Sequence, residues 1–79
     1  MLKLNRMDMK SNKPDIAEVI RKSRGFQKQG YYAEQLGISQ PSLSNIEKRC
    51  RKPSIEVLKK FSKLTGKPLV YLINITYGD

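Results

Sequence analysis

Four amide and hydroxyl side chains, Gln40, Ser42, Ser44 and Asn45, share one short segment of this chain, and four cations, Lys48, Arg49, Arg51 and Lys52, follow at once. The two groups suit different parts of one polyanion. The amides of Gln and Asn donate and accept together, as bidentate bonding to adenine in a major groove requires. Serine hydroxyls meet several base edges, and lysine meets guanine or phosphate. Cations just past such a segment would meet phosphates, fixing register and supplying much of the affinity. Other chemistry is poorly provided for. Histidine is absent and Cys50 is the single cysteine. A zinc site needs several Cys or His ligands, and a Ser–His or Cys–His pair needs the imidazole. No catalytic residue, metal ligand or cofactor is therefore expected. Cys50 is expected to be a semi-buried small residue. Its arginine neighbours favour a thiolate, but neighbouring charge alone assigns it no redox role.

The whole chain is consistent with that partner. Its formal net charge is +9, which points to nucleic acid first and to an anionic membrane surface second. The length of 79 residues allows one small domain with a marginal core, which dimerisation would help. A single cysteine fits a reducing, cytoplasmic setting. No apolar run approaches the ~20 residues of a membrane span, and the N-terminus lacks the apolar stretch of a signal peptide.

Positioning the polar segment falls to helices. The patterning predicts an all-α bundle of four to five short helices over residues 14–73, preceded by a basic flexible arm at 1–13 and followed by a tail at 74–79. A short strand or helix extension is the alternative for the arm. Pro14 and Asp15 open the first helix, with Ile16, Val19, Ile20 and Ser23 on one face and Gly25 as its stop. The second runs from about Gln27 to Leu36, buries Tyr32, Ala33 and Leu36, and stops at Gly37; Gly30 weakens it by ~1 kcal/mol relative to alanine. The third spans about Pro41 to Lys48. Proline suits its first turn, and the N-cap is either Ser39 or Gln40. In the fourth, Ser54 caps a stripe of Ile55, Leu58, Phe61 and Leu64, and Gly66 ends it. Leu69 to Ile73 form a short fifth helix, with a strand over "LVYLINITY" as the alternative.

The turn Gly37-Ile38-Ser39 makes the third helix cross the second steeply, as in a helix-turn-helix, with Ala33 small enough for the close approach. Leu43 and Ile46 then dock the third helix, and Gln40, Ser42, Ser44, Asn45 and Lys48 are left outside.

The stretch "YAEQLGISQPSLSNIEKRCRKPSIEVLKKFSKLTG" resembles the helix-turn-helix domain of the phage repressor and Cro proteins, the XRE-type regulators. The A-x-x-L-G-I-S-Q turn, the S-x-I-E closing the reading helix and the R-K-P-S opening the fourth carry the likeness, which covers about residues 14–73. It implies a lambda-repressor-like bundle that binds double-stranded operator DNA as a symmetric homodimer. It implies that Gln29 contacts phosphate and braces Gln40, and that Pro41, Ser42 and Asn45 face bases, Pro41 by touching a thymine methyl. It implies that Glu47 pairs with an arginine of the first helix, Arg21, with Arg24 as second candidate. Three departures stand out. One extra residue separates Gly25 from Gln29, so Phe26 is expected to act as the apolar staple from a shifted position. Arg49 replaces the glycine that commonly follows the reading helix. Pro41 replaces a polar residue.

The dense apolar run of the fifth helix marks Leu69, Leu72 and Ile73, with Ile75 and Tyr77, as the expected dimer interface. The reading is a transcriptional repressor on a palindromic operator. Two rivals belong to other classes. One is the antitoxin of a toxin–antitoxin pair, autoregulating through the same motif, with the arm or the tail on the toxin. The other is a general RNA- or membrane-binding basic protein. RNA modules display stacking aromatics, whereas the aromatics here fall mostly on inner faces. Lys59, Lys60 and Lys63 are expected to form a solvated helix face.

Overall fold

The computed structural model describes residues 14–78, so the arm at 1–13 lies outside the described residues. Five helices follow in order: α1 (Ile16–Arg24), α2 (Gln29–Leu36), α3 (Gln40–Glu47), α4 (Ile55–Thr65) and α5 (Leu69–Tyr77). The segment "LVYLINITY" is helical. α2 packs on α3 and α4, α1 on α3 and α5, and α4 on α5.

Local chemistry sets most of these boundaries. Asp15 caps α1, its carboxylate accepting from the Glu18 N–H at 3.0 Å. Ser39, not Gln40, caps α3 by accepting from the Ser42 N–H at 3.2 Å, and Pro41 falls in the first turn. Ser54 caps α4 through the Val57 N–H. α2 has no side-chain cap at Lys28 and starts at Gln29. At its other end Gly37 takes the left-handed conformation. Ile38 N–H reaches Ala33 O at 3.0 Å and Gly37 N–H reaches Glu34 O at 3.1 Å, the paired bonds of a Schellman turn.

The core is built from Ile16, Val19 and Ile20 of α1, Tyr32, Ala33 and Leu36 of α2, Leu43 and Ile46 of α3, Val57, Leu58 and Phe61 of α4, and Leu72 of α5. Two expectations about apolar faces are corrected. Ile55 and Leu64 are exposed, and Val57 replaces them inside. Positions spaced by three fall back about 60° around a helix at each step. Ile55 and Leu64 thus lie on opposite flanks of the Leu58–Phe61 line. Phe26 is fully exposed and staples nothing. The extra loop residue carries its side chain to solvent, and Arg24 Nη1 holds that loop by donating to Gln27 O at 2.8 Å.

α5 runs one turn further than the sequence pattern indicates. Thr76 is buried, its hydroxyl donating to Leu72 O at 2.7 Å. Tyr77 Oη donates to Pro53 O at 2.6 Å, tying the last turn to the α3–α4 connection. These polar anchors carry no apolar period, so residues 74–77 read as tail although they are helix.

Candidate nucleic-acid interface

The third helix, α3, has one docked side and one open side. Leu43, Ile46 and Glu47 are buried. Gln40, Pro41, Asn45 and Lys48 are exposed, and Ser42 and Ser44 are half-buried. Ser42 is already engaged, since the Ser39 hydroxyl donates to Ser42 Oγ at 3.0 Å. The open face therefore presents two amides, a proline ring, the Ser44 hydroxyl and one ammonium.

Behind it lies a polar relay anchored on the buried Glu47. Glu47 is only 6% exposed. Arg24 grips it bidentately, Nε to Oε2 at 2.8 Å and Nη2 to Oε1 at 2.9 Å. Gln29 Nε2 also donates to Oε1, at 3.1 Å. Gln40 Nε2 donates in turn to Gln29 Oε1 at 3.5 Å, a long bond between partly wet amides. Hydrogen bonding to the carboxylate raises the Arg24 pKa further above its ordinary value. Burial raises that of Tyr32 nearby.

The partner of Glu47 is thus Arg24 and not the expected Arg21, which is exposed. The reason is angular. Arg24 stands four residues past Ile20 and seven past Ala17, in line with the buried stripe of α1. Arg21 is turned about 100° away from Ile20.

Gly30 leaves room for this relay. A Cβ there would lie 3.3 Å from Gln40 Oε1. The glycine that weakens α2 also keeps that oxygen uncovered.

The four cations beyond α3 do not behave alike. Lys48 and Arg51 are exposed and join no ion pair among the described residues. The Lys52 ammonium sits 5.4 Å from the centre of the Tyr77 ring. Arg49 is turned onto the start of α1, where Nη2 donates to Asp15 Oδ1 at 3.0 Å and Nε to Oδ2. Its backbone is left-handed, with φ 66°. The Arg49–Asp15 pair was not legible in the sequence. Its one signal was an arginine where the turn favours glycine. Cys50, expected semi-buried, is exposed.

Leu72 is fully buried and belongs to the core, so it cannot serve a dimer interface as expected. Leu69 and Ile73 are half-buried against the core, and the open apolar side chains of α5 are Val70, Tyr71 and Tyr77. A dense apolar run shows that a helix has more than one greasy face, not which face points inward.

Two helices joined by the Gly37-Ile38-Ser39 turn, the second offering amides and followed by cations, are the arrangement of a helix-turn-helix. A family model described as helix-turn-helix matches residues 18–72. The chain belongs to the XRE-type helix-turn-helix family. Within it, the chain is a DNA-binding regulator whose partner is double-stranded DNA. The search of curated proteins and that of solved structures returned no match. None of the described helices is long and apolar enough to cross a membrane.

Proposed function

We propose that this helix-turn-helix protein is a sequence-specific repressor that binds a palindromic operator as a homodimer. Occupying an operator is enough to exclude other proteins from it, so repression needs no further chemistry. Gln40 and Asn45 read bases from the open face of α3, with Pro41 and Ser44 in apolar and hydroxyl contact. Lys48, Arg51 and Lys52 meet phosphate, as does the half-buried Gln29 through its backbone at the start of α2.

The observation that carries this reading is the Arg24–Glu47–Gln29–Gln40 relay. An exposed glutamine backed by a buried ion pair is oriented before DNA arrives, which lowers the ordering cost of a specific contact. The apolar face of α5 supports dimerisation. Val70 is 76% exposed and Tyr71 lies beside it, with Leu69 and Ile73 at the margin. A symmetric pair joined there would set two reading helices about one DNA turn, roughly 34 Å, apart.

The test is in vitro selection of bound duplexes. An inverted repeat with half-sites about one turn apart is the expected result. Retention of every sequence alike would refute the reading.

A further inference from the structure

The turn that ends the reading helix has the hydrogen bonding of a glycine-closed turn without the glycine. Cys50 N–H donates to Asn45 O at 2.8 Å and Arg49 N–H to Ile46 O at 3.1 Å. The same two bonds close α2, where Gly37 supplies the left-handed residue. Arg49 supplies it here, against the steric preference of any residue with a Cβ. Such strain persists where the surroundings hold it. Beyond the turn's own backbone bonds, the side chain that meets Arg49 is Asp15, which accepts two of its N–H groups and, from Oδ1, also caps α1. One carboxylate thus joins the entry of the first helix to the exit of the reading helix. The Arg49 hydrogen bond, before any other influence, holds the Asp15 carboxyl below the usual aspartate value, as a formed pair requires.

We propose that Asp15 and Arg49 are positioning residues for the reading helix, and that Arg49 grips Asp15 rather than DNA phosphate. The guanidinium that composition assigns to phosphate is spent on the turn carrying Asn45. Asp15, which touches no base, then contributes to sequence preference. This rests on the DNA-reading role proposed for α3.

Two variants and two kinds of readout test it. Asp15→Asn keeps the helix cap, because Asn caps as well as Asp, and removes the charge. In the DNA-free protein, hydrogen exchange at the Arg49 and Cys50 amides should quicken about two- to fivefold, the range of an exposed ion pair, while the Glu18 amide stays protected. Preference for the selected duplex over random duplex should fall by a similar factor. Arg49→Gly suits the left-handed turn and removes the cation. Its salt dependence on random duplex should match wild type, whereas Arg51→Ala should lose about 0.9 of slope, one phosphate contact. A slope loss of that size for Arg49→Gly would overturn the proposal. So would unchanged exchange, or an unchanged preference, in Asp15→Asn. Exchange is read without DNA and the slope on random duplex, so failure to find a preferred sequence defeats the α3 reading and leaves these two results standing.

Discussion

Replacing Glu47 by glutamine exchanges one oxygen for an NH₂ group and should cost this domain a large part of its stability. Three donors converge on the carboxylate: Arg24 Nε, Arg24 Nη2 and Gln29 Nε2. A carboxylate accepts all three, being acceptor-only with two oxygens. A glutamine turns one of those oxygens into an NH₂ that faces a donor. The guanidinium then loses its counter-charge in a place where its side chain is only 18% exposed. Removing one member of a fully buried pair costs about 3–5 kcal/mol. The partial access of Arg24 to water lowers the expectation to about 2–3 kcal/mol. Each kcal/mol shifts the midpoint of a domain this small by about 4–8 °C, so a fall of about 10–20 °C is expected. Thermal unfolding followed by circular dichroism measures it, with Glu56→Gln as control, since Glu56 is exposed. The double variant Arg24→Gln/Glu47→Gln should lose less than the sum of the single losses, because the stranded charge is gone. A Glu47→Gln midpoint within about 3 °C of wild type would refute the reasoning and leave the pair a surface ornament.

Gln40→Ala should cost about 1–3 kcal/mol on the selected duplex and relax base choice at one position, with little effect on random DNA; competition binding with both duplexes measures this. Gly30→Ala should raise helix stability by up to about 1 kcal/mol yet weaken preference at the same base, because the new Cβ crowds Gln40 Oε1; melting and competition binding should move in opposite directions. Val70→Glu should leave folding intact and abolish self-association, read by sedimentation at micromolar concentration, since Val70 is exposed while Leu72 holds the core. Asp15 has a lowered carboxyl pKa, chiefly through Arg49, so its contribution is present above the unfolded aspartate value and is lost as pH falls through the lower folded value. Asp15→Asn should therefore lose less stability than wild type over that acid window, and denaturant titrations at stepped pH read the difference.

The sequence was most informative where one residue type has one physical use. Ser54 is a helix cap, Gly37 and Gly66 take the left-handed turn, and Pro41 stands in a first turn. Each could be placed because its chemistry permits few alternatives. Periodicity was less exact. A step of three put Ile55 and Leu64 in one stripe with Leu58 and Phe61, although nine residues amount to two and a half turns, so that the first and last must point opposite ways. Long-range pairing was the least legible. Arg21 and Arg24 differ by one turn of a helix end, and only the angle to Ile20 separates the buried arginine from the exposed one. Asp15 and Arg49 are 34 residues apart. Nothing local to either names the other, and Arg49 looks like one more phosphate ligand in a cluster of four cations.

The relay also determines which way an exposed amide points. Glu47 can only accept, so Gln29 must turn its NH₂ toward it. That leaves Gln29 Oε1 facing Gln40, and an oxygen can be met only by the Gln40 NH₂. Gln40 is thereby left with one N–H and its Oε1 for a ligand, the oxygen uncovered because position 30 has no side chain. One donor beside one acceptor is the pattern that adenine complements through N7 and N6. A buried carboxylate, held by Arg24 at the end of α1, thus selects which face of its amide Gln40 offers to the base it is proposed to read. Glu47→Gln should accordingly blur that choice even in molecules that remain folded, because an amide at position 47 can donate as well as accept, and a flipped Gln29 would invite the opposite face of Gln40.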